Sequence, residues 1–246
     1  MIITFVGTAG SGKTTLTRAF GKYLEEKGHA VGYVNLDTGV KRLPYSPDVD
    51  VRQDVTAWEL MEEGLGPNGA IVGSYDRLVP KAGDYAERIL KLESERDYVL
   101  MDTPGQMETF LFHDFGLRLM DGLHDVLTVY LFGPEILRKP ADYCFVRFFG
   151  LTIDLRLGTT TVPALTKVDT TDLERHRKYL EDVDYLRARL KLEPSMQGLL
   201  AYRLCSVLPE LSPPTRVLYI SALTGEGFED LETVAYEHYC TCGDLT

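Results

Sequence analysis

Amides are scarce in this chain. Of 246 residues only two are asparagine (Asn35, Asn68) and three glutamine (Gln53, Gln106, Gln197). Both side chains are thermolabile, so the scarcity fits a protein that works hot, and it makes each surviving amide worth explaining. Cysteine occurs four times (Cys144, Cys205, Cys240, Cys242), too rarely for a disulfide-dense scaffold, which points to reduced thiols and a cytoplasmic protein. No apolar run reaches the ~20 residues of a membrane span, so no membrane partner is expected. The opening MIITFVGTAG lacks the basic n-region and cleavage site of a secretory signal. Basic residues are in deficit: 26 Lys and Arg stand against 37 Asp and Glu, a net charge of −11. That deficit excludes nonspecific nucleic-acid binding, which needs a basic face. It leaves room for an anion held at one local positive point.

What is there is an alternation of apolar runs and helical patterns, the signature of a parallel α/β sheet. Strands are expected at Ile2 to Val6, Val31 to Leu36, Tyr98 to Met101, Val126 to Phe132, Thr160 to Leu165 and Arg216 to Ile220. Helices are expected over Lys13 to Lys27, Asp54 to Glu63, Asn68 to Ser94 with a break near Pro80, Met107 to Leu123, Ala141 to Leu157 and Phe228 to Cys240. The stretch Val40 to Val51, with Pro44 and Pro47, reads as a loop. Residues from about 170 to 212 read as a helical insertion, within which the charged run Leu173 to Lys191 is a solvated amphipathic helix.

Gly7-Thr8-Ala9-Gly10-Ser11-Gly12-Lys13-Thr14 completes the pattern G-x-x-x-x-G-K-[ST], preceded by a strand and followed by a helix, as a phosphate loop requires. Glycines let successive N–H groups turn inward as an anion nest, and the helix adds its N-terminal dipole. Ala9, Gly10, Ser11, Gly12, Lys13, Thr14 and Thr15 are therefore the expected phosphate-binding stretch. Lys13 reaches the β- and γ-phosphates, and the Thr14 hydroxyl is a ligand for Mg²⁺. Val99 to Asp102 is an apolar strand ending in a carboxylate, as the second shell of such a metal needs. It runs on through Gly105 and Gln106 as D-x-x-G-Q. The Gly105 N–H is placed to sense a γ-phosphate, and Gln106 stands where nucleotide switches put a water-orienting amide.

Thr166-Lys167-Val168-Asp169 resembles the guanine-reading [NT]-K-x-D motif. A fixed carboxylate at Asp169 accepts two N–H bonds from guanine, and adenine would leave it unpaired. The Lys167 stem can lie on the base plane. Ser221-Ala222-Leu223 follows the next strand, as the backing loop of the same class does. About 60 helix-rich residues separate Asp37 from Tyr98, too many for a hairpin turn. Val31 to Leu36 should therefore run parallel, after a right-handed crossover. That puts Asp37 at the carboxyl edge, near the phosphates, to hold a magnesium water or the attacking water. This topology resembles that of signal-recognition and MinD-like nucleotidases.

The runs Leu43 to Arg52 and Met61 to Ala70, with Gly66-Pro67-Asn68 at the centre of the second, resemble the GPN-loop GTPases of archaea and eukaryotes, and the likeness extends from Ile2 to about residue 240. It implies one P-loop GTPase domain over residues 1–246, a three-layer sandwich with a mostly parallel central sheet and helical insertions, and a GPN-loop segment at about 41–97. It implies hydrolysis of GTP to GDP and phosphate with Mg²⁺ on Thr14, Asp37 and Asp102, in a homodimer whose Asn68 faces the partner's γ-phosphate. It also implies roles for Gln106 and Glu108 around the lytic water, and work as a nucleotide-dependent switch or assembly factor for an unknown protein client. Read locally, G-P-N-G is a turn with Asn68 as helix N-cap. An ATP-dependent small-molecule or nucleoside kinase shares the phosphate loop and the strand acid and is the alternative. Two weaker signals remain. His238-x-Cys240-x-Cys242 reads as a terminal metal clip but lacks paired C-x₂-C spacing. Phe110 to Phe112 and Phe145 to Phe149 read as core or dimer interface.

Overall fold

The computed structural model describes residues 1–211 and 216–243, with the backbone alone at 209 and 241–243. Cys242 and residue 212, the end of the expected insertion, thus have no described side chain. Seven parallel strands form one sheet in the order β3-β2-β4-β1-β5-β6-β7. They are β1 (Ile2–Gly7), β2 (Val31–Asn35), β3 (Val49–Asp50), β4 (Tyr98–Asp102), β5 (Val126–Phe132), β6 (Thr160–Thr166) and β7 (Leu218–Ile220). Six correspond to expected strands. The two-residue β3 falls in the stretch expected as loop, because so short a strand has no periodicity to detect.

Alternation along each strand sorts side chains onto two faces. Ile3, Phe5, Leu100 and Val129 pack under α1 (Lys13–Glu26) and α11 (Phe228–Gly243). Ile2, Val6, Val99 and Met101 pack under the remaining helices. Those begin with α2 (Ala57–Glu62), α3 (Pro67–Leu78) and α4 (Ala82–Glu95), with a 3₁₀ turn at Pro80 between the last two. The helix expected from Met107 is two: α5 (Met107–Phe112) and α6 (Asp114–Asp121). His113 breaks it by taking an extended backbone and accepting the Phe115 N–H on its imidazole. After α7 (Pro140–Leu157), the inserted region between β6 and β7 carries α8 (Leu173–Glu181), α9 (Val183–Lys191) and α10 (Met196–Leu211). The single helix expected over Leu173 to Lys191 is likewise divided, because Asp182 leaves the helical region and caps α9 by accepting the Tyr185 N–H. No helix among the described residues is long and apolar enough to cross a membrane.

The register places the chemistry. Asp102 lies beside Phe5 of β1 and beside Asn35 of β2. The carboxyl ends of these strands therefore bring the phosphate loop, the strand acid and the Asp37 loop to one edge, the place where open parallel sheets bind ligands.

Candidate nucleotide site

The phosphate loop joins β1 to α1. Gly10 and Gly12 have φ of +77° and +96°, a region that side-chain-bearing residues rarely enter. Gly7 is required for space instead: a Cβ there would meet Leu131 O at 2.3 Å. Lys13 is buried and donates to the loop's own carbonyls, Gly7 O at 2.7 Å and Thr8 O at 3.0 Å. Burial lowers its pKa, and Asp102, Asp37 and Glu108 pull the other way.

Asp102 is fully buried. Burial pushes its carboxyl up to about 6, against the opposing pull of Thr14 and Tyr45. Tyr45 donates to Oδ2 at 2.9 Å, while Oδ1 is buried and has no partner. A desolvated carboxylate oxygen with no hydrogen bond of good geometry, close to the Thr14 hydroxyl and Lys13, fits a hard cation. Among the described residues no three His, Cys, Asp or Glu side chains cluster as a metal cage. That suits Mg²⁺, which takes one or two protein oxygens and completes its shell with phosphate and water.

Asp37 stands where the parallel topology puts it, half-buried at the carboxyl edge. Its oxygens are both engaged: Oδ1 accepts Gly39 N–H at 2.8 Å and Oδ2 accepts Gly105 N–H at 3.2 Å. The amide expected to sense a γ-phosphate thus rests on Asp37. Gln106 and Glu108, at the start of α5, are exposed and have no side-chain hydrogen bond among the described residues.

A second group of residues holds the Asp37 loop, and no site role was expected of them. Asn35 donates to Asp50 Oδ1 at 2.9 Å and also to Asp37 O at 3.2 Å. Arg52 grips Asp50 through Nε and Nη2, and donates to Val40 O at 3.1 Å. Burial alone would raise the Asp50 carboxyl, but the bonds from Arg52 and Asn35 hold it below its ordinary value. Thr38 and Ser74 share a buried hydroxyl bond of 2.7 Å, and Tyr75 of α3 donates to Leu36 O. The loop is thereby tied to the helix that Gly66-Pro67-Asn68 begins. Gly66, not Asn68, is that helix's N-cap, with Pro67 in its first turn. Proline at the first helical position loses no hydrogen bond. Asn68 is then free to point outward, and residues 62–69 are all exposed.

The base loops converge on the phosphate loop. A cavity of about 310 Å³ is lined by Gly12 and Thr15 at one end and by Thr166, Lys167, Asp169 and Leu223 at the other. Thr166, in place of the commoner asparagine, donates to Ser11 O at 2.9 Å and so ties the base loop to the phosphate loop. Lys167 takes a left-handed φ of 58° and pairs with Glu135 at 3.1 Å. Asp169 is exposed, so its burial would have to come from the base that covers it. Ser221 is buried and anchors its turn by accepting Thr224 N–H at 3.2 Å, while Ala222 lines the cavity and Leu223 is 81% exposed at its mouth.

The weaker signals resolve in part. Phe110 and Leu111 are core, whereas Phe112 and Phe145 are more than half exposed. The terminal metal clip turns on Cys242, which lies outside the described side chains.

A family model described as a conserved hypothetical ATP binding protein matches residues 5–241. The GPN-loop GTPase PAB0955 of Pyrococcus abyssi is 69% identical over the whole of both chains. The crystal structure of that GTPase in apo form aligns with a TM-score of 0.95 at 68% identity, covering 98% of each chain. GPN-loop GTPase 1 of Dictyostelium discoideum is 31% identical over 93% of this chain, which spans only 59% of that longer relative.

Proposed function

The chain belongs to the GPN-loop GTPase family, and from that premise we infer an enzyme that binds GTP and hydrolyses it to GDP and phosphate, with Mg²⁺, as a homodimeric nucleotide-dependent switch. The observation that carries the nucleotide reading is the convergence of the phosphate loop, Asp169 and the Ser221 turn on one cavity. The family model's description speaks of ATP, but the relatives are named GTPases, and Asp169 matches the N–H donors of guanine, which adenine lacks.

Mg²⁺, when bound, would neutralise charge on the phosphate oxygens. Thr14 and Asp102 Oδ1 would hold it, with Asp37 in reach of its waters. On nucleotide binding Lys13 leaves the carbonyls of Gly7 and Thr8 for the phosphates. There its charge stabilises the leaving oxygens. The Gly105 N–H exchanges Asp37 for the γ-phosphate, and Asp37 is released toward the attacking water. Gln106 at the N-cap of α5 and Glu108 in its first turn orient that water. Asn68 of a second copy of the chain closes the site with its amide, which explains its exposed position on this one. The buried free thiols Cys144 and Cys205 fit a cytoplasmic protein. The hydrolysis cycle would serve a protein client.

Competition against a fluorescent GDP analogue tests the base assignment. GTP is expected to displace the probe roughly 100-fold better than ATP, the worth of two hydrogen bonds to a charged acceptor. Asp169→Ala should remove most of that preference. Equal displacement by ATP would instead support the ATP-dependent kinase.

A further inference from the structure

Tyr45 lies in the Leu43 to Arg52 run, outside the phosphate, acid and base motifs, yet its hydroxyl reaches Asp102 at the site's centre. The residue sits in the loop between β2 and β3. Its ring stacks on Tyr33 of β2, with centroids 5.2 Å apart and planes 22° apart. Its hydroxyl donates to Asp102 Oδ2 at 2.9 Å in a buried bond. The second oxygen, Oδ1, is equally buried and has no partner. A carboxylate turns easily about its last torsion, so a free one presents either oxygen in several directions. The phenol removes that freedom, because one oxygen is held and only the other is left to bind.

We propose that Tyr45 is a positioning residue for Asp102, reserving Oδ1 for the magnesium ion or for a water of its shell. The inference rests on the Mg²⁺ reading above. It explains why a tyrosine is buried here: the ring stack fixes the direction of the hydroxyl, and a held ligand binds metal more tightly than a mobile one. It also ties metal affinity to the conformation of the loop that starts at Asp37, because the same loop carries Tyr45.

Tyr45→Phe removes the hydroxyl and keeps the stacked ring. Mn²⁺ titration of the GDP complex, followed by electron paramagnetic resonance and by competition with Mg²⁺, reads the metal site directly. The metal Kd is expected to rise about tenfold or more, the worth of one hydrogen bond to a charged group. Affinity for GDP in chelator should stay within about twofold of wild type, since the base and phosphate loops are untouched. Tyr33→Phe is the control: it loses a hydroxyl from the same stacked pair, one that donates to Glu25 at 2.9 Å, and should leave the metal Kd alone. An unchanged metal Kd in a folded Tyr45→Phe protein would overturn the proposal, as would an equal shift in Tyr33→Phe. Should Tyr45→Phe not fold, wild-type protein with ring-deuterated tyrosine should show deuterium coupling to bound Mn²⁺, and absence of coupling would also overturn it. If wild-type protein shows no metal dependence at all, the Mg²⁺ reading itself falls.

Discussion

Asp102 serves two opposed demands. Placed at the end of a central strand, it is fully desolvated, and its carboxyl is raised to about 6. A raised folded value means that the group favours the fold while protonated. That contribution is complete below about pH 4 and is lost as pH rises through about 6. At neutral pH the ligand-free chain therefore carries an unrewarded buried charge, which a bound cation would relieve. Two outcomes follow. Asp102→Asn should raise the melting stability of the ligand-free protein at pH 7, by up to about 3 kcal/mol, while abolishing metal-dependent nucleotide binding. Mg²⁺-dependent affinity for GDP in wild-type protein should weaken about fivefold between pH 6 and pH 5 as the carboxylate is lost. Thermal melts and a titration series across pH check both.

At the scale of elements, the segment between β2 and α3 decides how the site is held. Its sequence offered Asp37 as a candidate and little else: prolines marked a loop, and Gly66-Pro67-Asn68 marked a family. The residues that secure it, Asn35, Asp50, Arg52, Thr38 and Ser74, are ordinary polar types; Asn35 meets Asp50 across 15 positions, Thr38 meets Ser74 across 36, and Arg52 joins its near neighbour Asp50 to Val40 12 positions back. No local pattern pairs residues across the longer gaps, so the hold of Asn35 and Ser74 on this loop had to be seen. Arg52→Met should expose the value of that clasp. Asp50 would keep its buried charge with one partner fewer, destabilising the fold by about 1–3 kcal/mol. The penalty should shrink in acid, because Asp50 is held below its ordinary value and its stabilisation exists only while it is ionised. Turnover should fall further than GDP affinity, since the clasp supports the Asp37 loop and not the phosphate loop. Urea melts at two pH values and single-turnover kinetics read the two effects.

At the scale of the molecule, the Gly66-Pro67-Asn68 segment lies on the surface. Residues 62–69 are exposed, and Asn68 has no partner in its own chain among the described residues. A homodimer that exchanges these segments makes each site depend on both copies. Asn68→Ala and Lys13→Ala should each be nearly inactive alone. Mixed and re-paired in equal amounts, they should recover about a quarter of wild-type turnover, because half the dimers hold one site with both residues intact. Recovery of nothing beyond the sum of the two variants would remove Asn68 from the partner's site. Sedimentation of the mixture should show a dimer throughout.

The sequence alone determined the parts that depend on local order. Glycine spacing fixed the phosphate loop, apolar runs located six of the seven strands, and the distance from Asp37 to Tyr98 excluded a hairpin. These are short-range properties: periodicity, backbone freedom and chain length. The tertiary structure decided what depends on approach between distant segments. It put Asp37 on the Gly105 amide, Tyr45 on Asp102 and Thr166 on the phosphate loop, and it left Asp102 Oδ1 desolvated and unpaired. Burial and the direction of a hydrogen bond are properties of the packed chain, and they leave Asp102 Oδ1 without a hydrogen bond while Gln106 and Asn68 stand exposed.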